Sequence, residues 1–428
     1  MRIIENPTRR SWPLLAMRNE LDNESLSQTV ATIIERVIKD GDEALFQLSK
    51  EIDNLESFVL QVSKDDIDAS AEKISPQLKL AIDTAAGNIR RFHEAQLSTD
   101  VDIETSPGVR CLQKSIPIQR VGLYIPGGTA PLFSTVLMLA IPAQVVGCPE
   151  IVLCTPPSSS GAVASEILYA ASRCGLSRVF AVGGAQAIAA MAYGTTTIPR
   201  VDKIFGPGNR YVTRAKQMVA MRQTAIDMPA GPSEVMIMAD DSAEAAFVAA
   251  DLLSQAEHGA DSQAIVLTGS MDLALRIKDC LNEQMEHLPR RAFAAKSLSH
   301  SRIIILPEAK DMLDFANIYA PEHLIISMRN AWDVAAGLTS AGSVFIGNFS
   351  PESAGDYASG TNHTLPTTGW ARAYSGVNTD SFVRKITYQE LSPQGLNSLS
   401  ETIITMAEAE GLDAHANAVK IRISTLKS

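Results

Sequence analysis

Basic residues are in deficit: 37 lysines and arginines face 48 aspartates and glutamates, a formal net charge of −11 at pH 7. That balance makes nucleic acid and anionic membrane poor partners. Cysteines are few. The five of them, Cys111, Cys148, Cys154, Cys174 and Cys280, form no CxxC pair, and an odd count in a long chain argues for reduced core thiols rather than a disulfide framework. The first 17 residues lack the apolar core of a secretory signal, since Arg2, Glu5, Arg9 and Arg10 surround a short proline-broken patch; a cytoplasmic protein is expected. One stretch, 121–149, lacks charge altogether and is long enough to cross a bilayer. Pro126-Gly127-Gly128 interrupts it, and Pro131 opens a second run expected to end at Pro142, so it reads as a buried strand, a turn and a helix.

What is present is a globular composition, 46% hydrophobic and 20% charged over 428 residues, about three times a ~150-residue domain. The first hundred residues read as helices: Leu26, Val30, Ile33, Ile34 and Val37 recur at helical spacing before Gly41, and Ser75-Pro76 opens a further helix. From Arg120 onward short β-rich runs alternate with helix-length segments, first at 121–125, 151–155, 179–182 and 203–205, then at 234–238, 264–268, 303–306, 323–326 and 343–346. The pattern predicts an α/β fold with two Rossmann-like parallel-sheet units, a helical N-terminal layer and a small helical C-terminal tail.

Ligands of open parallel sheets sit at the carboxyl ends of the strands, which directs attention to the residues just after each one. Three such turns are glycine-rich: Pro126-Gly127-Gly128, Gly183-Gly184-Ala185-Gln186 and Gly206-Pro207-Gly208-Asn209. Each could present backbone N–H groups to a phosphate, although none is a GxGxxG and plain tight turns explain them equally. Among seven histidines, His93, His287 and His300 lie in polar helical surroundings and read as solvated side chains. Gln255 and His258 fall at i and i+3 near a helix end, where they could grip a metal or where the helix dipole alone could favour the histidine. Glu322 and His323 stand side by side at the start of a strand, a plausible pair of acid/base groups with different roles. The polar segment 350–366, with Asp356, Asn362 and His363, is long enough to read as an active-site loop. In the tail, Glu410 and His415 flank Gly411 before a final helix.

Several of these blocks, in order, are similar to one family. The runs 125–140 (IPGGTAPLFSTVLMLA), 183–189 (GGAQAIA), 203–209 (KIFGPGN), 227–234 (DMPAGPSE), 253–259 (LSQAEHG), 321–323 (PEH), 355–363 (GDYASGTNH) and Ala414-His415 resemble the bacterial histidinol dehydrogenases from the N-terminal helices to the tail. Two departures stand out. Ala320 replaces a common glycine before Pro-Glu-His, and Thr368 replaces a common tyrosine after Leu-Pro-Thr.

The resemblance implies an NAD- and zinc-dependent enzyme that oxidises L-histidinol to L-histidine through an aldehyde, in two hydride transfers. It implies one zinc per subunit held by Gln255, His258, Asp356 and His415, and NAD contacts from Tyr124, Gln186 and Asn209. Substrate contacts would be Ser233, Gln255, His258, Glu322, His323, Asp356, Glu410 and His415, with Glu322 and His323 handling protons. It further implies a homodimer in which the tail of one subunit completes the other's site. The expected organisation is an arm at 1–21, a main α/β domain at 22–123 and 236–377, an NAD-contacting α/β domain at 124–235, and the tail at 378–428. The alternatives are a related dehydrogenase of another amino or diol alcohol, a zinc hydrolase, which would leave the glycine turns without a job, a non-catalytic nucleotide-binding scaffold, which would leave the metal set idle, and a thiohemiacetal route through Cys111 or Cys154, both expected in the core.

Overall fold

The computed structural model describes residues 1–18, 24–56, 58–127 and 130–426; Gly128 of the first glycine turn and the expected boundary at 21/22 lie outside the described residues. The chain forms two compact units, one of residues 1–96 and 119–382, the other of residues 97–118 and 383–428.

In chain order the strands are β1 (Arg2–Glu5), β2 (Val101–Ser106), β3 (Val109–Pro117), β4 (Arg120–Tyr124), β5 (Glu150–Thr155), β6 (Val179–Ala181), β7 (Lys203–Phe205), β8 (Ala225–Ile226), β9 (Glu234–Ala239), β10 (Gln263–Thr268), β11 (Arg302–Ile305), β12 (His323–Ser327), β13 (Ser343–Ile346) and β14 (Val383–Leu391). The first unit holds two parallel sheets, ordered β6-β5-β4-β7-β8 and β1-β11-β10-β9-β12-β13. Disregarding β1, both follow the order 3-2-1-4-5, the doubly wound half-fold whose switch point lies between its first and fourth strands. The expectation of two Rossmann-like units is met.

The strand pattern explains why both faces are covered. Along β9 every residue is buried, with Val235 and Ile237 packing into one apolar cluster and Met236 and Met238 into another on the opposite face. Successive strand residues point to opposite sides, so a continuous apolar run needs helices on both. The helix Glu24–Asp40 buries the five residues expected from its spacing. Pro76–Glu94 starts as expected, the Ser75 hydroxyl accepting from the Leu78 N–H.

Three expectations need correction. The opening residues are not helical throughout, because β1 pairs in parallel with β11, Arg2 opposite Arg302; its charged ends hid a strand recruited by a sheet edge. The helix Phe133–Val145 runs through Pro142. Proline there removes the N–H that would bond the Met138 carbonyl four residues earlier, and the Asn362 side chain supplies a donor instead, at 2.6 Å. The tail is helical over Pro393–Ala409 and Asp413–Leu426 but opens with β14, which pairs antiparallel with β3, itself paired with β2. These three strands and two helices make up the second unit.

Candidate active site

Glu322 and His323 lie at the amino end of β12, beside the amino end of β9, where His323 is in register with Val235. The site of this sheet is therefore at the end opposite to the one the carboxyl-end rule directs attention to. The Glu234 main chain, at the first residue of β9, engages both groups: its N–H donates to Glu322 Oε2 at 2.8 Å and its carbonyl lies 3.2 Å from His323 Nδ1. With Nδ1 donating to that carbonyl, Nε2 carries the lone pair. His323 Nε2 is buried and makes no hydrogen bond among the described residues.

Other acids face the ring. His323 Nδ1 is 3.6 Å from Glu352 and 3.7 Å from Glu322, and Nε2 is 3.7 Å from Asp356. Glu352 and Asp356 come from one short helix, Glu352–Tyr357, and a mostly buried His363 reaches within 3.9 Å of Asp356. Burial pushes the Glu322 carboxyl well above the usual carboxylate range, the Glu234 N–H only partly offsetting it. Burial pulls the His323 imidazole down to about 3, so the ring is neutral at pH 7 instead of titrating near its ordinary value. Asp356 and Asp251 are each pushed up to about 7 by burial, and Glu352 well upward by burial and by the charges of Asp356, Glu322 and Asp251. His363 falls to about 4 through burial and the nearby His258.

The donor set fits a divalent cation. Gln255, on the helix Ala245–Ala256, is fully buried with neither amide atom hydrogen-bonded among the described residues, and both Glu352 oxygens and His363 Nε2 share that condition. Buried polar atoms left without partners cost free energy that a bound ion would recover. Mutually repelling carboxyls beside imidazoles are also the N/O donor chemistry of zinc. His258 falls two residues past the helix end; it keeps solvent access, yet burial and then the Arg290 charge lower its proton affinity. Ser233 is half-buried, its carbonyl accepting from the Gln263 N–H. Glu410, capping the helix Pro393–Ala409, and His415, in the first turn of Asp413–Leu426, are exposed on the second unit.

In the other parallel sheet the expected cofactor residues do follow the carboxyl-end rule. Tyr124 ends β4 and the Gly206 turn follows β7, the two strands flanking the switch point. A Cβ at Gly206 (φ +121°) would overlap the Tyr124 carbonyl oxygen, so only glycine permits this approach. The Tyr124 hydroxyl accepts from the Gly184 N–H at 3.1 Å, Gln186 is buried with its amide 3.4 Å from Asp53, and Asn209 Oδ1 caps the helix Arg210–Ala220 through the Tyr211 and Val212 N–H groups. A buried ion pair, Lys216 to Asp227 at 2.5 Å, holds the same turn, since Lys216 also donates to the Gly206 carbonyl and Asp227 accepts from its N–H.

Sequence reasoning did not mark Glu234, Glu352 or Asp251 as parts of the site, and left His363 without a role. A carboxylate at a fully apolar strand start, as at Glu234, was the available signal. His93, expected on the surface, is fully buried: Nδ1 donates to the Ile89 carbonyl at 2.7 Å and Nε2 faces the Asn362 amide at 3.5 Å. Cys111 is half-buried on β3 rather than in the core, whereas Cys154 is buried and its thiol is pushed up by burial, which removes it as a nucleophile.

Sequence and fold are both similar to those of a known family. Residues 16–423 match the family model described as histidinol dehydrogenase. A histidinol dehydrogenase of Bacteroides thetaiotaomicron is 54% identical over the full length of both chains, and one of Escherichia coli is 53% identical over 95% of this chain and 93% of that one. The crystal structure of histidinol dehydrogenase from Elizabethkingia anophelis superimposes with a TM-score of 0.97 at 49% identity, covering 100% of this chain and 99% of the other. No helix among the described residues is long and apolar enough to cross a membrane. With the family match, the full-length identity and the fold in agreement, the chain belongs to the histidinol dehydrogenase family of oxidoreductases.

Proposed function

We propose that this protein oxidises L-histidinol to L-histidine through the aldehyde, in two NAD-dependent steps, with one zinc per subunit. The observation that carries the reading is the joint attachment of Glu322 and His323 to the main chain of one buried residue, Glu234, with His323 Nε2 left open beside Asp356. A four-electron oxidation of an alcohol to an acid needs one group that takes an O–H proton twice and another that activates water between the two oxidations. Neutral His323 takes the alcohol proton at Nε2, 3.7 Å from Asp356 and with Glu352 3.6 Å from Nδ1; negative charge on either carboxyl favours the imidazolium as it forms. Glu322, whose burial makes it a stronger base than an exposed carboxylate, takes a proton from the water that adds to the aldehyde carbon. As water adds, His323 returns its proton to the aldehyde oxygen, and the neutral ring then accepts a proton from the hydrated aldehyde. Tyr124, Gln186 and Asn209 would hold NAD, which would supply the hydride acceptor, and Gln255, His258, Asp356 and His415 would hold zinc, which would supply an anchor for the substrate's amino and imidazole nitrogens.

Ser233 and Glu410 complete the substrate contacts of this reading. His415 and Glu410 come from the tail of the second subunit of a homodimer, and the arm, main, NAD-contacting and tail domains keep the bounds 1–21, 22–123 with 236–377, 124–235 and 378–428. A second ligand set has an observation of its own: donor atoms of His323, Glu352 and Asp356 lie within 4.8 Å of one another. Glu352→Gln separates the two, leaving bound zinc unchanged on the first reading and depleting it on the second. The function itself is tested with L-histidinol and NAD: two NADH per histidine are expected, lost on chelation and restored by zinc. NADH formed only from another amino alcohol would replace the substrate, and acid formation without NADH would replace the reaction class.

A further inference from the structure

The Glu234 side chain does nothing in the chemistry above, yet it is among the most firmly held groups in the protein. Arg18 approaches it as a fork, Nε to Oε1 at 2.8 Å and Nη2 to Oε2 at 2.9 Å, and the Thr368 N–H donates to Oε1 at 2.9 Å. Arg18 is itself fixed: Nη2 also donates to the Tyr319 carbonyl at 2.8 Å, and the guanidinium lies 3.6 Å over the Tyr319 ring. The side chains of Arg18 and Glu234 are only 13% and 2% exposed. An ion pair so buried, bidentate and stacked costs desolvation of both partners, so its stabilising value is small relative to its rigidity. The side chain hangs from the Cα that joins the two peptide groups in question, the one before it donating to Glu322 and the one after it accepting from His323. A shift of that Cα would disturb the Glu322 carboxylate and the His323 Nδ1–H together.

We infer that Arg18 is a positioning residue: by clamping the Glu234 side chain it fixes the Glu234 main chain, whose N–H orients Glu322 and whose carbonyl holds His323 as the Nδ1–H tautomer with Nε2 toward the reacting oxygen. Lysine cannot replace it, because a point charge lacks the planar fork that fills both carboxylate oxygens and the Tyr319 carbonyl at once. The inference rests on the roles proposed for Glu322 and His323. It concerns geometry rather than affinity, so the turnover number should suffer while substrate binding does not.

The test compares wild type, Arg18→Ala and Arg18→Lys with L-histidinol and NAD, together with bound zinc and the nitrogen NMR spectrum of histidine-labelled protein. Arg18→Ala should lose about 10- to 100-fold in kcat, the scale of misplaced proton-transfer groups, with KM moving less than about threefold and zinc retained. Ethylguanidinium added to the folded variant should restore about fivefold or more of the lost rate and leave wild type unchanged, a response that a role in folding alone would not give. The His323 ring should pass from a single Nδ1–H tautomer to a mixture. A folded Arg18→Ala with wild-type kcat, or one slowed without rescue and with the tautomer intact, overturns the inference. Should Arg18→Ala not fold, Arg18→Lys decides in the same way, with an expected loss of about fivefold in kcat. If wild type itself does not oxidise histidinol, the functional reading fails separately, and the tautomer comparison still decides the role of Arg18.

Discussion

Asn362 bridges the loop that carries His363 to a helix that proline has left one hydrogen bond short. Its amide donates to the Met138 carbonyl at 2.6 Å and faces His93 Nε2 at 3.5 Å, while Oδ1 accepts from the Thr364 N–H at 2.9 Å. Asn362→Leu keeps the volume and removes every bond, orphaning a buried carbonyl, a buried N–H and an imidazole nitrogen. Each orphan costs about 1–3 kcal/mol, and because neighbours share the penalty the total should be about 3–5 kcal/mol. The cause can be isolated. Pro142→Ala restores the N–H that would pair the Met138 carbonyl along the helix, so the double variant should be less destabilised than the sum of the single ones by about 1–2 kcal/mol. Urea unfolding of the four proteins, compared by midpoint with slopes checked for equality, gives the coupling. Additive effects within about 0.5 kcal/mol would show that the proline and Asn362 are unrelated.

Thr368 is exposed and β-branched with φ 56°, so Thr368→Gly should stabilise the protein by about 0.5–1 kcal/mol, the relief of strain exceeding the added chain entropy; a lower unfolding midpoint would refute this. Burial lowers the His93 pKa, so the unfolded chain binds a proton there that the folded chain does not; its contribution is full above about pH 6.5 and lost as pH falls below it. His93→Gln should therefore flatten the loss of stability between about pH 6.5 and 5 by up to ~1.4 kcal/mol per pH unit, and an unchanged slope in pH-dependent unfolding would contradict it. His323→Ala and His415→Asn chains refolded together should recover about a quarter of wild-type activity, since half the dimers are mixed and one site in each is intact; no recovery in confirmed mixed dimers would place the tail on its own subunit.

Sheets and helices were legible where apolar periodicity was strong. All nine β-rich runs became strands within about a residue at either end, because parallel strands covered on both faces must be apolar throughout. Strands β1, β2, β3 and β14 were not legible: their burial is partial and charged residues interrupt them, so pairing rather than composition makes them strands. The helix through Pro142 escaped for a related reason, since the compensating donor lies far away in sequence at Asn362. Glu322, His323 and Asp356 could be suspected from ionisable residues beside glycine and proline. Glu352 could not, because its role arises only when β12 and the helix Glu352–Tyr357 converge, and at Glu234 the charge opening an apolar strand was a signal that did not reveal its partners on β12. The lowered pKa of His323 comes from burial, which spacing does not reveal.

The division of labour between Glu322 and His323 is tested most directly by following NADH and trapped aldehyde together in one turnover of Glu322→Gln with bound zinc confirmed. The first NADH should form with aldehyde accumulating and the second should be strongly delayed, whereas His323→Ala should slow both. Two NADH released by Glu322→Gln at the wild-type rate, with no aldehyde to trap, would contradict the account.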